Sequence, residues 1–168
     1  MEISELLQEL YGRIAPLSRD AVDGLDAAAL NARPTPTTNH IGWLVWHTAR
    51  VLDHQVCEVA GMRQVWVDGN HAERVGMNPD SADHGYGHTP EQVAAVRPQS
   101  PDDVLEYLNV VDARTREYLG TLNGADLDRV VDTSYDPPVT LGVRLVSVAD
   151  DCLQHAGQAA YLRGLLGL

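Results

Sequence analysis

The feature that most constrains the fold is the spacing of apolar residues, which recurs every three or four positions in four long segments. This spacing places apolar side chains on one face of a helix, whereas a half-buried strand would alternate apolar and polar residues. The segments cover residues 2–25, 39–61, 100–124 and 141–166. No segment alternates convincingly and no internal repeat occurs. The sequence therefore predicts a single all-α domain over residues 1–168, built as a four-helix bundle.

Prolines and short polar side chains indicate where these helices start and break. Pro16 interrupts the first apolar stripe, so a kink or break is expected there. Thr38 or Asn39 is suited to cap the second helix. Residues 100–103 read Ser-Pro-Asp-Asp, which is typical of a helix start with a hydroxyl cap, a proline in the first turn and two acids at the positive end of the helix.

Residues 62–99 differ from the rest of the chain, because they are rich in Gly, Pro, Asn and Asp and have no sustained apolar period. They predict a long connection between the second and third helices, with short helical turns, one of them beginning at Thr89-Pro90. Trp66 lies in this connection and is interpreted either as a lid contact or as a core side chain. Long ordered loops in a compact domain often carry function.

The charge balance limits the partners of the chain. Lys and Arg number 12 against 24 Asp and Glu, for a formal net charge of −12. Such a chain is not expected to bind nucleic acid or an anionic membrane surface, because both require a basic surface. No run of eighteen apolar residues suggests a membrane span, and the acidic, amphipathic start MEISELLQELYGRI does not resemble a signal peptide. A small molecule or another protein remains as the expected partner.

Two cysteines, Cys57 and Cys152, both lie inside predicted helices among apolar neighbours. Their spacing does not indicate a disulfide framework, so reduced cysteines and a cytoplasmic location are expected. Neither has an obvious activating group nearby, which favours buried structural cysteines over catalytic thiols.

Asp151 and His155 are the clearest candidates for metal ligands. Their separation of four residues places both side chains on one helix face, about 6 Å apart along the axis. A third ligand from a facing helix would complete half of the shell of a divalent ion. The alternative is an ordinary surface pair of an acid and a histidine, one helical turn apart.

The second helix contains His40, His47 and His54, spaced seven residues apart. Neighbours in this series lie about 10.5 Å apart along the axis, so one ion cannot bind two of them. His47 is the best placed, since it lies in the middle of the apolar stretch. His40 is better suited to capping or solvent contact, and His54 lies in a more polar stretch. The alternative for His47 is a core histidine hydrogen-bonded to a neighbour.

Several short motifs resemble the DinB-like (DinB/YfiT-like) superfamily of metal-binding four-helix proteins, and in particular its actinobacterial DUF664-type branch. WHTAR at 46–50 is similar to the histidine segment of the second helix in that family. Residues 151–158, DCLQHAGQ, are similar to its fourth-helix pattern, and HGYGHT and YLRGLLG also resemble that branch. The resemblance covers nearly the whole chain.

The resemblance implies a bundle with up-down-down-up helix directions and His47, Asp151 and His155 as ligands of a divalent transition metal, zinc or nickel. Many members have histidine where this chain has Asp151, and relatives of mycothiol-dependent maleylpyruvate isomerase have glutamate there. Members with known activity use a metal to bind the thiol of a low-molecular-weight cofactor such as mycothiol. The resemblance also implies a homodimer.

Three functional hypotheses follow from the sequence and the resemblance. The first is a metal-dependent S-transferase or isomerase that uses a low-molecular-weight thiol on a small electrophile. The second is a non-catalytic bundle that binds a metal or small ligand in a stress response. The third is a structural or dimerising domain whose histidines belong to the core.

If the chain is an enzyme, the loop His84–His88 is expected to border the substrate pocket, with Tyr86 or His88 as a polar contact. An ordinary turn is the alternative for this loop, because its two glycines disfavour a helix. Gln158 is expected to bind a substrate or orient a ligand, or else to stabilise helix packing alone.

Overall fold

The computed structural model describes all 168 residues, and helices dominate it. The helices and strands, in chain order, are α1 (Ile3–Tyr11), α2 (Ile14–Val22), α3 (Ala27–Leu30), α4 (Ile41–Ala60), α5 (Val65–Asp68), α6 (His71–Arg74), α7 (Pro90–Ala95), α8 (Asp102–Gly120), β1 (Val130–Asp132), β2 (Val139–Thr140) and α9 (Leu141–Leu166). A 3₁₀ turn, Gly124–Asp128, precedes β1. One connected cluster of buried apolar side chains lies between the α1–α2 pair, α4, α8 and α9. The predicted all-α four-helix bundle is confirmed.

The α1–α2 pair forms the first arm of the bundle and runs parallel to α9. Tyr11 at the end of α1 donates its hydroxyl to the carbonyl of Leu145 near the start of α9, over 2.6 Å. Beyond the end of α2, the carbonyl of Asp23 accepts from Arg163 near the end of α9, over 2.7 Å. The two contacts occur in the same order along both arms, which is the parallel arrangement.

Helices α4 and α8 are the two middle arms, and they run parallel to each other. Arg50 in the first half of α4 donates to the hydroxyl of Tyr107 over 3.0 Å. Arg114, farther along α8, donates to the carbonyl of Arg63, which lies just beyond the end of α4, over 3.0 Å.

Helix α4 runs antiparallel to α9, because Glu58 near its end forms an ion pair of 2.6 Å with Arg144 near the start of α9. The four arms therefore run up, down, down and up, as the resemblance implied. Since α4 contacts both α8 and α9, it has no long solvent-facing side, and nearly all of its side chains are buried.

The break in the first arm lies earlier than predicted. Helix α1 ends at Tyr11 and α2 begins at Ile14, so the chain breaks at Gly12 and Arg13 rather than at Pro16. Pro16 instead occupies the first turn of α2. A proline is tolerated there because the first N–H groups of a helix have no acceptor within the helix.

Two helix caps also differ from the prediction. His40, and neither Thr38 nor Asn39, caps α4, because its Nδ1 accepts from the backbone N–H of Trp43 over 3.0 Å. Ser100 does not cap α8 through its hydroxyl. The carboxylate of Asp103 accepts from the backbone N–H of Ser100, just before the helix, over 2.9 Å, and the residue at the N-cap position, Pro101, makes no side-chain cap.

The connection over residues 62–99 contains α5, α6 and α7, and the start of α7 at Pro90, capped by Thr89, matches the prediction. Trp66 of α5 is fully buried against Trp46 and Tyr107, which makes it a core side chain rather than a lid contact.

The connection from α8 to α9 contains a two-stranded antiparallel ribbon of β1 and β2 that the sequence did not predict. Strands of two or three residues are too short to show an alternating pattern. No helix is both long and apolar enough to cross a membrane.

Candidate metal centre

Helix α4 brings His47 to the interface with α9 and packs Trp43 against one face of its ring. His47 is only 4% exposed. Trp43, one turn earlier, stacks on it with ring centroids 4.7 Å apart and planes 11° from parallel. A flat aromatic face against the imidazole leaves the ring little rotational freedom, so its edge points toward α9.

Asp151 and His155 face His47 from α9. Oδ2 of Asp151 lies 3.8 Å from Nε2 of His47, and Oδ1 of Asp151 lies 3.6 Å from Nε2 of His155. One ligand atom from each of the three residues lies within 4.8 Å of the others. The structure thus brings together the three residues that the sequence and the resemblance selected.

Hydrogen bonds determine which nitrogen of each histidine is left for a ligand. Nδ1 of His47 lies 2.5 Å from the carbonyl oxygen of His84, and Nδ1 of His155 lies 2.8 Å from Oε1 of Gln158. Both oxygens accept only, so both Nδ1 atoms carry hydrogen. The Nε2 atoms therefore face Asp151, in the arrangement of a metal-binding histidine that donates its other N–H to a fixed acceptor.

Asp151 supplies the strongest sign that a cation belongs between these groups. Its Oδ2 is buried and accepts no hydrogen bond. A buried carboxylate oxygen without a donor is costly, and pairing with a metal ion removes that cost. Two imidazole nitrogens and one carboxylate oxygen form a donor set that suits zinc and other transition ions and leaves positions open for a further ligand. The residues present fit a divalent metal.

The protonation of the three groups differs because their surroundings differ. Burial, with a further contribution from the charge of His155, lowers the pKa of His47 to about 4. Burial also acts to lower the pKa of His155, but its contacts with Asp151 and Gln158 outweigh that effect and raise the pKa above its usual 6.5. For Asp151, burial acts to raise the pKa, but the contacts with His155 and the charge of His47 outweigh burial, so the pKa falls below its usual 3.8.

The loop His84–His88 covers His47 at close range. Gly85 has φ of +93°, which side-chain-bearing residues rarely adopt. A Cβ on Gly85 would lie 2.7 Å from Nδ1 of His47 and 2.9 Å from the ring of Trp46. Glycine is therefore needed here both for the backbone conformation and for the close approach to the ring.

The predicted substrate-contacting residues have different environments. Tyr86 at the tip of the loop is 88% exposed and borders a cavity next to the centre. His88 accepts from the indole N–H of Trp43 over 3.2 Å and donates from Nε2 to Asp83 over 2.8 Å, so both ring nitrogens have partners within the protein. Gln158 contacts His155 through its side chain. Their roles toward a substrate stay predictions.

The cavity has a volume of about 630 Å³ and lies beside His47 and Asp151, between α4, α9 and the β-ribbon. This size falls in the range of small-molecule sites. Its wall is mixed, with valines at 51, 139, 143 and 148, histidines at 54 and 84, and a charged group formed by Arg144 with Glu58 and Asp132.

Both cysteines lie away from solvent. Cys152 is fully buried, and burial raises its pKa well above 9.0. Burial, followed by the charge of Asp53, raises the pKa of Cys57 to about 12. Neither sulfur is a thiolate at neutral pH, so the chain offers no reactive thiol of its own.

Sequence reasoning missed two parts of the centre. The stacking of Trp43 on His47 was detectable, because residues four apart on a helix are neighbours. The carbonyl of His84 was not, because 37 residues separate it from His47 and a backbone group has no sequence signature.

Comparison with known proteins agrees with the fold. A family model described as the DinB superfamily matches residues 12–159. A crystal structure of a conserved protein of locus from Enterococcus faecalis is 32% identical in sequence and has a TM-score of 0.90, with 100% of this chain and 99% of that chain covered. No curated protein matches the chain significantly.

Proposed function

The chain belongs to the DinB superfamily, whose members in general bind metal ions, and on that premise we propose that His47, Asp151 and His155 hold a divalent transition metal, zinc or nickel. The observation that carries the proposal is the buried Oδ2 of Asp151, which has no hydrogen-bond donor and faces an Nε2 that the tautomer of His47 leaves free.

For the activity, we propose metal-dependent transfer or isomerisation that uses a low-molecular-weight thiol, such as mycothiol, on a small electrophile. A bound divalent ion would lower the pKa of a thiol that ligates it. The residues of the chain orient the ligands and leave space for the substrate. His84 and Gln158 hold the two imidazoles in orientation, and the cavity beside Asp151 gives an electrophile room to approach.

One further observation supports an external thiol. Neither Cys57 nor Cys152 is available as a nucleophile, since both are buried and their pKa values are raised. In a transfer, the sulfur of the external thiol would form a bond to the electrophilic carbon. The leaving group would depart with its electron pair, and the thiol proton would pass to water. Two reduced cysteines and such a thiol fit a reducing compartment such as the cytoplasm.

The first test is metal content. Untagged wild-type protein is expected to contain about one transition-metal ion per chain, and His47→Ala combined with His155→Ala is expected to contain none. His71→Ala is the control, because the ring of this histidine packs against Tyr107 at a tilt, away from the centre. Metal that survives the double change would place the ion elsewhere and contradict the proposed site.

The second test is conjugation. Metal-loaded protein is incubated with mycothiol and monochlorobimane, and the rate is compared with that of Asp151→Ala. Turnover above background that Asp151→Ala abolishes supports the transferase. Metal binding without turnover supports instead the non-catalytic binding bundle.

We also propose a homodimer. Helix α9 leaves Val146, Tyr161 and Leu165 exposed on its outer side, and a second copy would cover apolar surface of this kind. Sedimentation should then give twice the chain mass of 18.3 kDa. A monomer mass at micromolar concentration would contradict it.

A further inference from the structure

Arg50 is a fully buried arginine on α4, three residues after His47, and none of its contacts belongs to the centre described above. Its Nε donates to the carbonyl of Asp83 over 2.9 Å, and its Nη2 donates to the carbonyl of Ser81 over 3.2 Å. Its Nη1 donates to the hydroxyl of Tyr107 over 3.0 Å. The guanidinium thus ties the segment 81–83 to α4 and α8.

A counter-charge makes this burial tolerable and fixes the guanidinium in place. Oδ2 of Asp53 lies 3.5 Å from Nη1 of Arg50. The same carboxylate accepts from the backbone N–H groups of Val65 and Trp66, over 3.0 and 2.8 Å. The indole of Trp66 also lies under the guanidinium, 4.9 Å from it. A buried ion pair with this many hydrogen bonds is held in one geometry.

The segment that Arg50 holds leads directly into the group that orients His47. Asp83 is followed by His84, whose carbonyl accepts Nδ1–H of His47 over 2.5 Å. One peptide unit separates the carbonyl that Arg50 binds from the carbonyl that His47 binds. A shift of residue 83 therefore moves the acceptor of the imidazole.

We propose that Arg50 is a positioning residue for the metal centre. By holding the carbonyls of Ser81 and Asp83, it fixes the carbonyl of His84 and with it the ring orientation and tautomer of His47. An arginine suits this task because its planar fork donates in several directions at once, whereas a lysine presents one compact ammonium. Removal of the guanidinium should loosen the segment 81–83 and lower the affinity of the centre for metal.

This inference rests on the proposed role of His47 as a metal ligand, but the hydrogen bond from His47 to His84 is measurable in metal-free protein. Its readout is the Nδ1–H signal of the His47 ring in a ¹⁵N NMR spectrum. The second readout is zinc affinity, from competition with a chromophoric chelator.

Two variants and one control make the test. Arg50→Lys keeps the positive charge beside Asp53 but cannot span both carbonyls. Arg50→Met combined with Asp53→Asn removes both charges, which avoids leaving one of them buried and unpaired. Tyr11→Phe is the control, since it removes a buried hydrogen bond to the carbonyl of Leu145 that does not involve the loop.

We expect the double variant to lose roughly ten- to a hundredfold in zinc affinity, the usual effect of losing support behind a ligand. Arg50→Lys should lose less, the Nδ1–H signal should broaden or disappear in both, and Tyr11→Phe should change neither readout. The proposal would be overturned if both Arg50 variants kept wild-type zinc affinity and an intact Nδ1–H signal. If the wild type binds no zinc, the metal site itself fails, and the NMR signal still decides whether Arg50 positions the ring.

Discussion

Nε2 of His47 and Oδ2 of Asp151 lie 3.8 Å apart on two antiparallel helices, too far for a hydrogen bond and close to the separation of two ligands on one ion. Two ligand atoms at the usual zinc distances in a tetrahedral site are about 3.3 Å apart. A shift of about half an ångström, within the freedom of an aspartate side chain, would bring this pair of atoms to that separation.

Asp151 and its neighbour Asp150 form a matched pair for testing the carboxylate ligand. Asp151→Asn should lower zinc affinity at least tenfold, because a neutral amide is a poor substitute for a charged ligand. Asp150→Asn should have little effect, since that carboxylate is exposed and accepts from Gln154 over 2.7 Å. Chelator competition measures both. Equal affinities in the two variants would exclude Asp151 as a ligand.

The pH dependence of metal binding should show that one proton competes with the metal ion. A metal must displace the proton of His155, whose pKa lies above 6.5, whereas His47, with a pKa of about 4, is already neutral in the range from pH 5 to 6.5. Apparent zinc affinity should therefore fall about tenfold for each unit by which the pH is lowered within that range. A fall of about a hundredfold per unit would mean that both histidines release a proton.

Alanine variants of Gly85 and Gly87 distinguish the effect of backbone strain from the effect of close packing in the loop His84–His88. Both have positive φ, +93° and +75°, so alanine is strained at either position. Only at Gly85 would the new Cβ meet Nδ1 of His47 at 2.7 Å, and at Gly87 it meets nothing within 4 Å. Gly85→Ala should therefore cost roughly 1–3 kcal/mol more in free energy of unfolding than Gly87→Ala.

The same pair should differ in metal binding, because the clash at Gly85 displaces either the loop or the ring of His47. Denaturant unfolding measures the free energy of unfolding of each variant, and chelator competition measures its zinc affinity. Equal effects at the two glycines would show that the loop does not press on the ring.

The two cysteines should be inert in the native protein. Burial raises the pKa of Cys57 to about 12 and also raises that of Cys152, so a disulfide reagent at pH 8 should label neither until the chain is denatured. Cys57→Ala should accordingly leave thiol conjugation unchanged. Rapid labelling of one cysteine in the native state, with loss of activity, would indicate that the chain supplies its own thiol.

The helices themselves were predictable because their cause is local. An apolar residue every three or four positions determines which face is buried, whatever the partner, and this placed α4, α8 and α9 correctly. The break near Pro16 was misplaced because a proline in the first turn of a helix and a proline in its interior look alike in sequence. The β-ribbon escaped prediction because strands of two or three residues carry too little pattern.

For the centre, the sequence determined that Asp151 and His155 share a face, since a helix fixes the geometry of residues four apart. It also singled out His47 as the best-placed histidine of its helix. Only the tertiary structure decided that His47 faces them, that its Nδ1 is bound by the carbonyl of His84, and that Oδ2 of Asp151 is buried without a donor. These relations join residues far apart in the chain through packing and backbone groups, and the side-chain pattern of a single segment does not encode them.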